Sequence, residues 1–341
     1  MIVRTHGLFL LYTDACSTFY RIDECLSVFF GRILPALVLI FSVLPFPAFC
    51  EDAPLEECVK SDSALDNRVC AEKHISKARF AIVPYKPNYI IGSYVDELSG
   101  GAEDYQNYET KFQISFKIPL SRYEEPRKCL LLANTQCVAF FGYTQLSVWQ
   151  MMNFERSAPF RDTNFEPEIM VAQLLKKPVI AGWNLRLVNY GLWNHQSNGK
   201  SPPSSRSWNR SYIDFVFEKN NSYITFKAWE RWNEHPKDNP ADFKGDDNVD
   251  IEKYVGNVEL KYFHVGERAN YSIVIRDSEK NANKANVQLN WSIPIKELSS
   301  AFDVTQLRFY VQYYNGFGET LIDYNVKRER IGMGIMLTDW L

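Results

Sequence analysis

From Asn88 onward, apolar and polar side chains alternate with a period of two, as in strands that have one wet and one apolar face. Phe112-Gln-Ile-Ser-Phe-Lys-Ile118 has this form, and so does Asn286-Val-Gln-Leu-Asn-Trp-Ser-Ile293. Between Tyr223 and Trp232, the residues Ile224, Phe226, Ala228 and Trp232 fall on one side, with Thr225, Lys227 and Arg231 on the other. The last run keeps Ile331, Met333, Ile335, Leu337 and Leu341 in phase and stops at the chain terminus, as a barrel-closing strand would. About twelve such runs are legible, near 88–98, 110–121, 137–151, 165–175, 180–195, 207–219, 222–233, 252–265, 269–277, 284–294, 304–314 and 323–341. Turn signals separate them, among them Lys219-Asn-Asn-Ser222 and Asn315-Gly316. The expected fold is all-β: a twelve-stranded antiparallel transmembrane β-barrel of the outer-membrane type over residues 87–341, with both termini at one end. The 196–206 and 234–251 connections then share the opposite, extracellular end. The acidic stretch Asp238 to Asp250 within the second reads as a solvated loop tip, with a calcium site there as the less favoured reading.

Ahead of the barrel, Ile33 to Phe49 is the one long apolar run; it follows Arg32, contains three prolines and stops at Cys50-Glu51-Asp52. That is the form of a signal-peptide core cleaved near Cys50, with a membrane-anchoring helix as the alternative. Residues 1–50 are therefore expected to be an N-terminal extension and signal peptide, and 51–86 a periplasmic extension or plug, or else a leader pinned by one disulfide. Of seven cysteines, Cys58, Cys70, Cys129 and Cys137 lie beyond the signal. An even number in an exported chain points to disulfides, and Cys58–Cys70 and Cys129–Cys137 are the local pairings among three possible ones. Metal-binding Cys/His spacings are absent from the sequence, which argues against zinc.

Composition sharpens this picture only a little. Aromatic residues make up 15% of the chain while the net charge is −3 and the mean hydropathy −0.28. Aromatic girdles on an alternating barrel give that mix, as a soluble β-sandwich also would. The charge carries no nucleic-acid footprint.

The candidate chemistry is concentrated between Trp193 and Arg210. His195 and Ser197 are two residues apart, so on a strand they share a side, roughly 6 to 7 Å between Cα atoms. A hydroxyl and an imidazole so placed form a nucleophile–base pair, and Asn209, after a Gly/Pro/Ser-rich reversal, can return to orient the imidazole. The bland alternative is a polar loop with an incidental histidine. Strand phase speaks against that alternative. Trp183, Leu185, Leu187, Trp193 and His195 share one phase, and Asn209 shares its phase with Ile213, Phe215 and Phe217. Polar groups on an apolar, lipid-facing phase are costly unless they serve a purpose, although a bulge near Gly191 would reverse the phase.

Asn194, His195, Ser197, Asn198 and Gly199, followed by Ser205-Arg-Ser-Trp-Asn-Arg210, resemble the signature of the outer membrane phospholipase A family. Ser157-Ala-Pro-Phe-Arg-Asp-Thr-Asn-Phe-Glu-Pro167 and Gly316-Phe-Gly-Glu-Thr-Leu-Ile-Asp-Tyr324 resemble two further segments of it. The resemblance implies a phospholipase A1/A2 that cleaves acyl esters of phospholipids and lysophospholipids, depends on calcium and acts as a homodimer in the outer membrane with its active site on the extracellular side. It makes Ser197 the nucleophile, His195 the base, Asn209 the orienting residue and the Gly199 amide the oxyanion donor. It assigns one Ca²⁺ per active site at the dimer interface, bound by Ser205, the carbonyl of Lys200 and Ser157 of the other subunit. Gln145 matches a polar residue of the family's dimer surface. Gln196 and Ala158 depart from the pattern beside the calcium site, Lys200 replaces the more usual arginine, and Leu341 the commoner Phe. The competing reading from another class is a non-enzymatic outer-membrane barrel, a porin or an adhesin.

Overall fold

The computed structural model describes residues 58, 61–78, 81–96, 105–121, 123, 126–127, 135–239, 241–277, 285–298 and 307–338. The apolar run Ile33–Phe49, Cys129 and Leu341 lie outside them. Residues Glu56–Leu341 form one compact unit.

Twelve long strands make up its wall. They are β1 (Asn88–Val95), β2 (Tyr108–Pro119), β3 (Thr135–Trp149), β4 (Phe160–Pro178), β5 (Asn184–Ser197), β6 (Ser207–Lys219), β7 (Ser222–Arg231), β8 (Val258–Val265), β9 (Asn270–Asp277), β10 (Asn286–Pro294), β11 (Arg308–Gly316) and β12 (Arg328–Thr338). Every strand pairs antiparallel with its neighbours in sequence, and β12 returns to pair with β1, Ile335 opposite Ile90. The sheet therefore closes and has no free edge, which is how a β structure satisfies its backbone hydrogen bonds within lipid.

The alternation is turned inside out relative to a soluble protein. Ile90, Ile114, Phe226, Leu260, Ile273, Ile331 and Met333 are exposed, whereas Ser93, Lys111, Thr225, Ser272 and Arg330 on the opposite phase are buried. Charges inside the barrel are paired, as burial requires. Arg330 reaches Glu109 at 2.8 Å, Arg161 holds the same Glu109 at 2.6 Å, and Lys111 Nζ meets Glu319 at 2.8 Å. Spaces remain between these side chains, among them cavities of about 230 and 200 Å³.

Helix α1 (Ala64–Ser76) is capped by Ser63, whose hydroxyl accepts from the Asp66 amide at 3.1 Å. It packs against inward-facing barrel residues: Leu65 on Tyr223 and Phe263, and Val69 against Val138 and Phe140. Glu72 takes an ion pair from Lys117 at 2.8 Å and a hydrogen bond from the Tyr123 hydroxyl at 2.8 Å. Cys58 and Cys70 are bridged; Cys137 is disulfide-bonded as well.

Three expectations need correction. The run expected as strand from residue 252 opens with a one-turn helix, Glu252–Val255, and β8 begins at Val258. The final strand begins at Arg328 rather than 323, because residues 317–327 fold as a loop whose Leu321 and Tyr324 are buried beside Trp208, Trp229 and Ile251. The acidic 238–250 stretch is a solvated tip only in its first part, where Asp238, Asn239, Ala241, Asp242, Phe243 and Lys244 are exposed. Asp246 and Asn248 are buried, the first bound by Arg231 at 2.6 Å and the second accepting from the Ser207 amide at 3.0 Å.

Candidate active site

Two irregularities in β5 decide where its side chains point. Pairing with β6 slips between Leu185 and Leu187. In consequence Arg186 and Leu187 both face inward, Arg186 toward Glu218 and Asp66 and Leu187 onto the Val138–Phe140–Met170 cluster. Strict alternation would leave Leu187 on the outer phase with Leu185; the slip removes it. A second slip leaves Ser211 alone opposite Leu192 and Trp193, between the pairs Gly191–Tyr212 and Asn194–Arg210. Each bulge reverses the alternation. Two of them restore it, so His195 and Ser197 share the outer phase after all.

The inward residues on either side fix this phase. Asn194 donates to Glu166 at 2.9 Å and accepts from Arg210 at 3.0 Å, and Gln196 accepts from the Trp208 indole at 2.8 Å. Since Gln196 points into the barrel, its departure from the family pattern takes no ligand from the outer face.

His195 lies directly opposite Asn209 on β6. Its Nδ1 is 3.0 Å from Asn209 Oδ1, and the Trp193 indole N–H donates to the same oxygen at 3.2 Å. The Trp193 and His195 rings stack, with centroids 6.1 Å apart and planes inclined by 15°. Asn209 Nδ2 in turn donates to Glu234 Oε1 at 3.1 Å. Ser197 ends β5 two residues beyond the histidine, opposite Ser207 and beside Phe165 of β4.

The chain then reverses through residues 198–206. Asn198, nearly fully buried, organises this turn: its amide N–H donates to the Arg206 carbonyl at 3.0 Å, its Oδ1 accepts from the Arg206 amide at 2.9 Å, and its Nδ2 donates to the Ser204 carbonyl at 2.9 Å. Gly199 has φ +65°, and a Cβ there would lie 3.1 Å from the Phe165 ring; both the left-handed backbone and the close approach call for glycine.

Of the expected calcium ligands, Lys200 and Ser205 lie in this turn. The Lys200 ammonium donates to the Arg161 carbonyl at 2.6 Å, and the Ser205 hydroxyl donates to Asp247 Oδ2 at 2.6 Å. Ser157 is exposed on the separate 150–159 loop, with φ 57° after a short 3-10 turn. Among the described residues no hydrogen bond joins it to Ser205 or Lys200. Gln145 lies in an outer-face chain of hydrogen bonds, accepting from the Tyr143 hydroxyl and donating to Ser147, both at 3.2 Å. The structure adds two carboxylates to the expected residues, Glu234 and Asp247. Both belong to the long 232–257 connection, and neither has a periodic or motif signal in the sequence.

A family model described as Phospholipase A1 matches residues 65–337. The chain is 33% identical over 319 residues to the Phospholipase A1 of Escherichia coli (strain K12), covering 90% of this chain and 99% of that one. The Klebsiella pneumoniae Phospholipase A1 is 36% identical over 270 residues, covering 76% and 83%. Among solved structures, the outer membrane phospholipase A from Escherichia coli superposes with a TM-score of 0.65 at 35% identity, covering 77% of this chain and 94% of that one. The Salmonella typhi outer membrane phospholipase dimer with bound calcium superposes with a TM-score of 0.66 at 32% identity, covering 83% and 100%. This chain belongs to the phospholipase A1 family.

Proposed function

We propose that this outer-membrane phospholipase cleaves acyl ester bonds through Ser197, His195 and Asn209. The observation that carries the reading is the His195 Nδ1–Asn209 Oδ1 contact of 3.0 Å on the outer face of the barrel, where a lipid's ester groups lie. With Nδ1–H held by an amide oxygen, Nε2 is the basic nitrogen. It takes the proton of the Ser197 hydroxyl as Oγ attacks the acyl carbonyl. The tetrahedral oxyanion accepts from the Gly199 amide. Collapse breaks the ester C–O bond, and the imidazolium returns the proton to the leaving glycerol oxygen. A water, deprotonated by His195, then hydrolyses the acyl-serine to free fatty acid and regenerates Ser197.

Asparagine orients the imidazole without an aspartate's charge, so the developing positive charge relies more on what surrounds it. The Ser205 hydroxyl, the Lys200 carbonyl and Ser157 from a second copy of the chain are hard oxygen donors of the type calcium prefers. Asp247, 2.6 Å from Ser205 Oγ, holds that hydroxyl in place while its charge is paired with Lys237. When bound, calcium would polarise the ester carbonyl oxygen. In the scheme that the resemblance implies, Ser157 comes from the second copy, so the set is complete only when two chains meet. Dimerisation then switches activity on, in line with the calcium-bound dimer of the Salmonella typhi relative.

A porin or adhesin is the weaker reading, since the interior is filled by Lys111, Glu319, Arg330, Glu109 and Arg161 and the polar constellation faces outward. The test is fatty-acid release from mixed phospholipid micelles, with calcium or with chelator, for the wild type and Ser197→Ala. Calcium-dependent release that disappears in the variant is expected. A wild type that forms dimers with calcium present yet releases no fatty acid would overturn the enzyme reading for this site.

A further inference from the structure

We propose that Glu234 is a fourth member of the catalytic chain, a positioning residue that fixes the amide of Asn209 and through it the tautomer of His195. The proposal rests on the Ser197–His195–Asn209 reading above. An asparagine side chain is nearly symmetric in shape, and half a turn about its last bond exchanges oxygen and nitrogen. The two orientations are opposite in consequence. With Oδ1 toward the ring, His195 keeps its proton on Nδ1 and Nε2 is free to act as the base. With Nδ2 toward the ring, Nδ1 becomes the acceptor, the proton moves to Nε2, and the base faces the wrong way.

Two partners of fixed polarity choose between these orientations. The Trp193 indole nitrogen only donates, and it lies 3.2 Å from Oδ1. The Glu234 carboxylate, when ionised, only accepts, and it lies 3.1 Å from Nδ2. Half a turn of the amide would set donor against donor and acceptor against acceptor. Glu234 does this from a supported position: two residues earlier the Trp232 amide donates to the Asn209 carbonyl at 2.8 Å, and its indole donates to Ser211 at 2.9 Å. The start of the 232–257 connection is thereby tied to the strand that carries Asn209.

Charge supplies the second part of the argument. A hydrogen bond from Nδ2 to a carboxylate polarises the whole amide, so Oδ1 accepts more strongly when the imidazolium forms. Glu234 returns, one residue further away, part of the negative charge that an aspartate in place of Asn209 would bring. No proton moves onto it.

The test compares full-length folded protein carrying Glu234→Gln, Glu234→Ala, Asn209→Asp and the Asn209→Asp/Glu234→Gln pair, with calcium in phospholipid micelles, and uses Ser197→Ala as the reference. Heat-modifiable gel mobility reports folding of each variant. Removing the Glu234 charge is expected to lower kcat about 10-fold with KM within about twofold, the effect of losing a group that orients another. Asn209→Asp alone sets two carboxylates against each other and is expected to lose more. The double variant recovers about 10-fold over Asn209→Asp, because the amide introduced by Glu234→Gln then donates to the carboxylate introduced by Asn209→Asp. A bystander carboxylate predicts none of this: wild-type kcat in both Glu234 variants and equal activity of Asn209→Asp in either background would overturn the proposal. Residual activity in Ser197→Ala would instead overturn the triad beneath it.

Discussion

Gly191 is where packing inside the barrel is coupled to chemistry outside it, and Gly191→Ala tests that coupling. A Cβ at this position lies 2.1 Å from Cε1, 2.2 Å from Cδ1 and 2.5 Å from Cζ of Tyr212, where carbon atoms normally stay about 3.5 Å apart. The ring must retreat by more than ~1 Å, or the strand must. The ring has little freedom. Its hydroxyl donates to Glu168 at 2.6 Å and pairs with the Tyr85 hydroxyl at 3.4 Å, and Lys227 Nζ lies 3.8 Å from its centroid. Overpacking costs about 1–3 kcal/mol, and losing the bond to the Glu168 carboxylate about 1.5–3 kcal/mol, so about 2.5–6 kcal/mol of stability should go. If the strand yields instead, it carries the Leu192–Trp193 bulge with it, and His195 moves away from Asn209. Gly92→Ala is the control, because nothing lies within 4 Å of a Cβ at Gly92; it should stay within about 0.5 kcal/mol of wild type. Denaturant unfolding in detergent, followed by tryptophan fluorescence, reads the stability, and fatty-acid release reads the site. If Gly191→Ala matches Gly92→Ala in both measurements, the bulge does not depend on the contact with Tyr212.

Two further predictions concern parts away from the site. Glu319, in the 317–327 loop, is buried, which alone would raise its pKa, but Arg330 and Lys111 outweigh burial and lower it from 4.5 to about 2. The folded value is the lower one, so this carboxylate stabilises the fold fully above pH 4.5 and loses that effect as the pH falls toward 2. Glu319→Gln, which leaves Lys111 and Arg330 with one charge fewer between them, should cost about 3–5 kcal/mol at neutral pH and flatten the acid-unfolding profile below pH 4.5; an unchanged profile would contradict the assignment. Separately, Cys58→Ser/Cys70→Ser opens a loop of sequence separation 12, a constraint of about 3 kcal/mol. Limited proteolysis should then cut near α1 while fatty-acid release is retained, and a protease-resistant α1 in the double variant would refute this.

The strands are legible in the sequence because one side chain in two meets lipid, which imposes the period on Phe112–Ile118 and Ile331–Leu337 whatever their pairing. The motif around His195 and Asn209 is legible for a similar reason, since both residues occupy an apolar phase where polar groups stand out. Leu187 is not, because a bulge changes which face a residue occupies without changing the residues themselves. The phase of His195 reads correctly only because the slip at Arg186 and the slip after Gly191 cancel. Glu252–Val255 reads as strand because a short run is ambiguous between the two periods. Asp246 and Asn248 are buried by bonds to Arg231 and to the Ser207 amide, and such single polar contacts leave no periodic trace.

The same reasoning explains why a loop completes the site. A polar group on the outer wall is tolerated where each of its atoms has a partner and where water is near. Asn209 meets the first condition: its oxygen is taken by His195 and Trp193, its nitrogen by Glu234. A strand residue carrying that last carboxylate would put an ionised group deeper on the apolar face. A carboxylate from the connection beyond β7 reaches Asn209 from a loop, so the charge that supports the imidazole need not be carried on the apolar face of a strand.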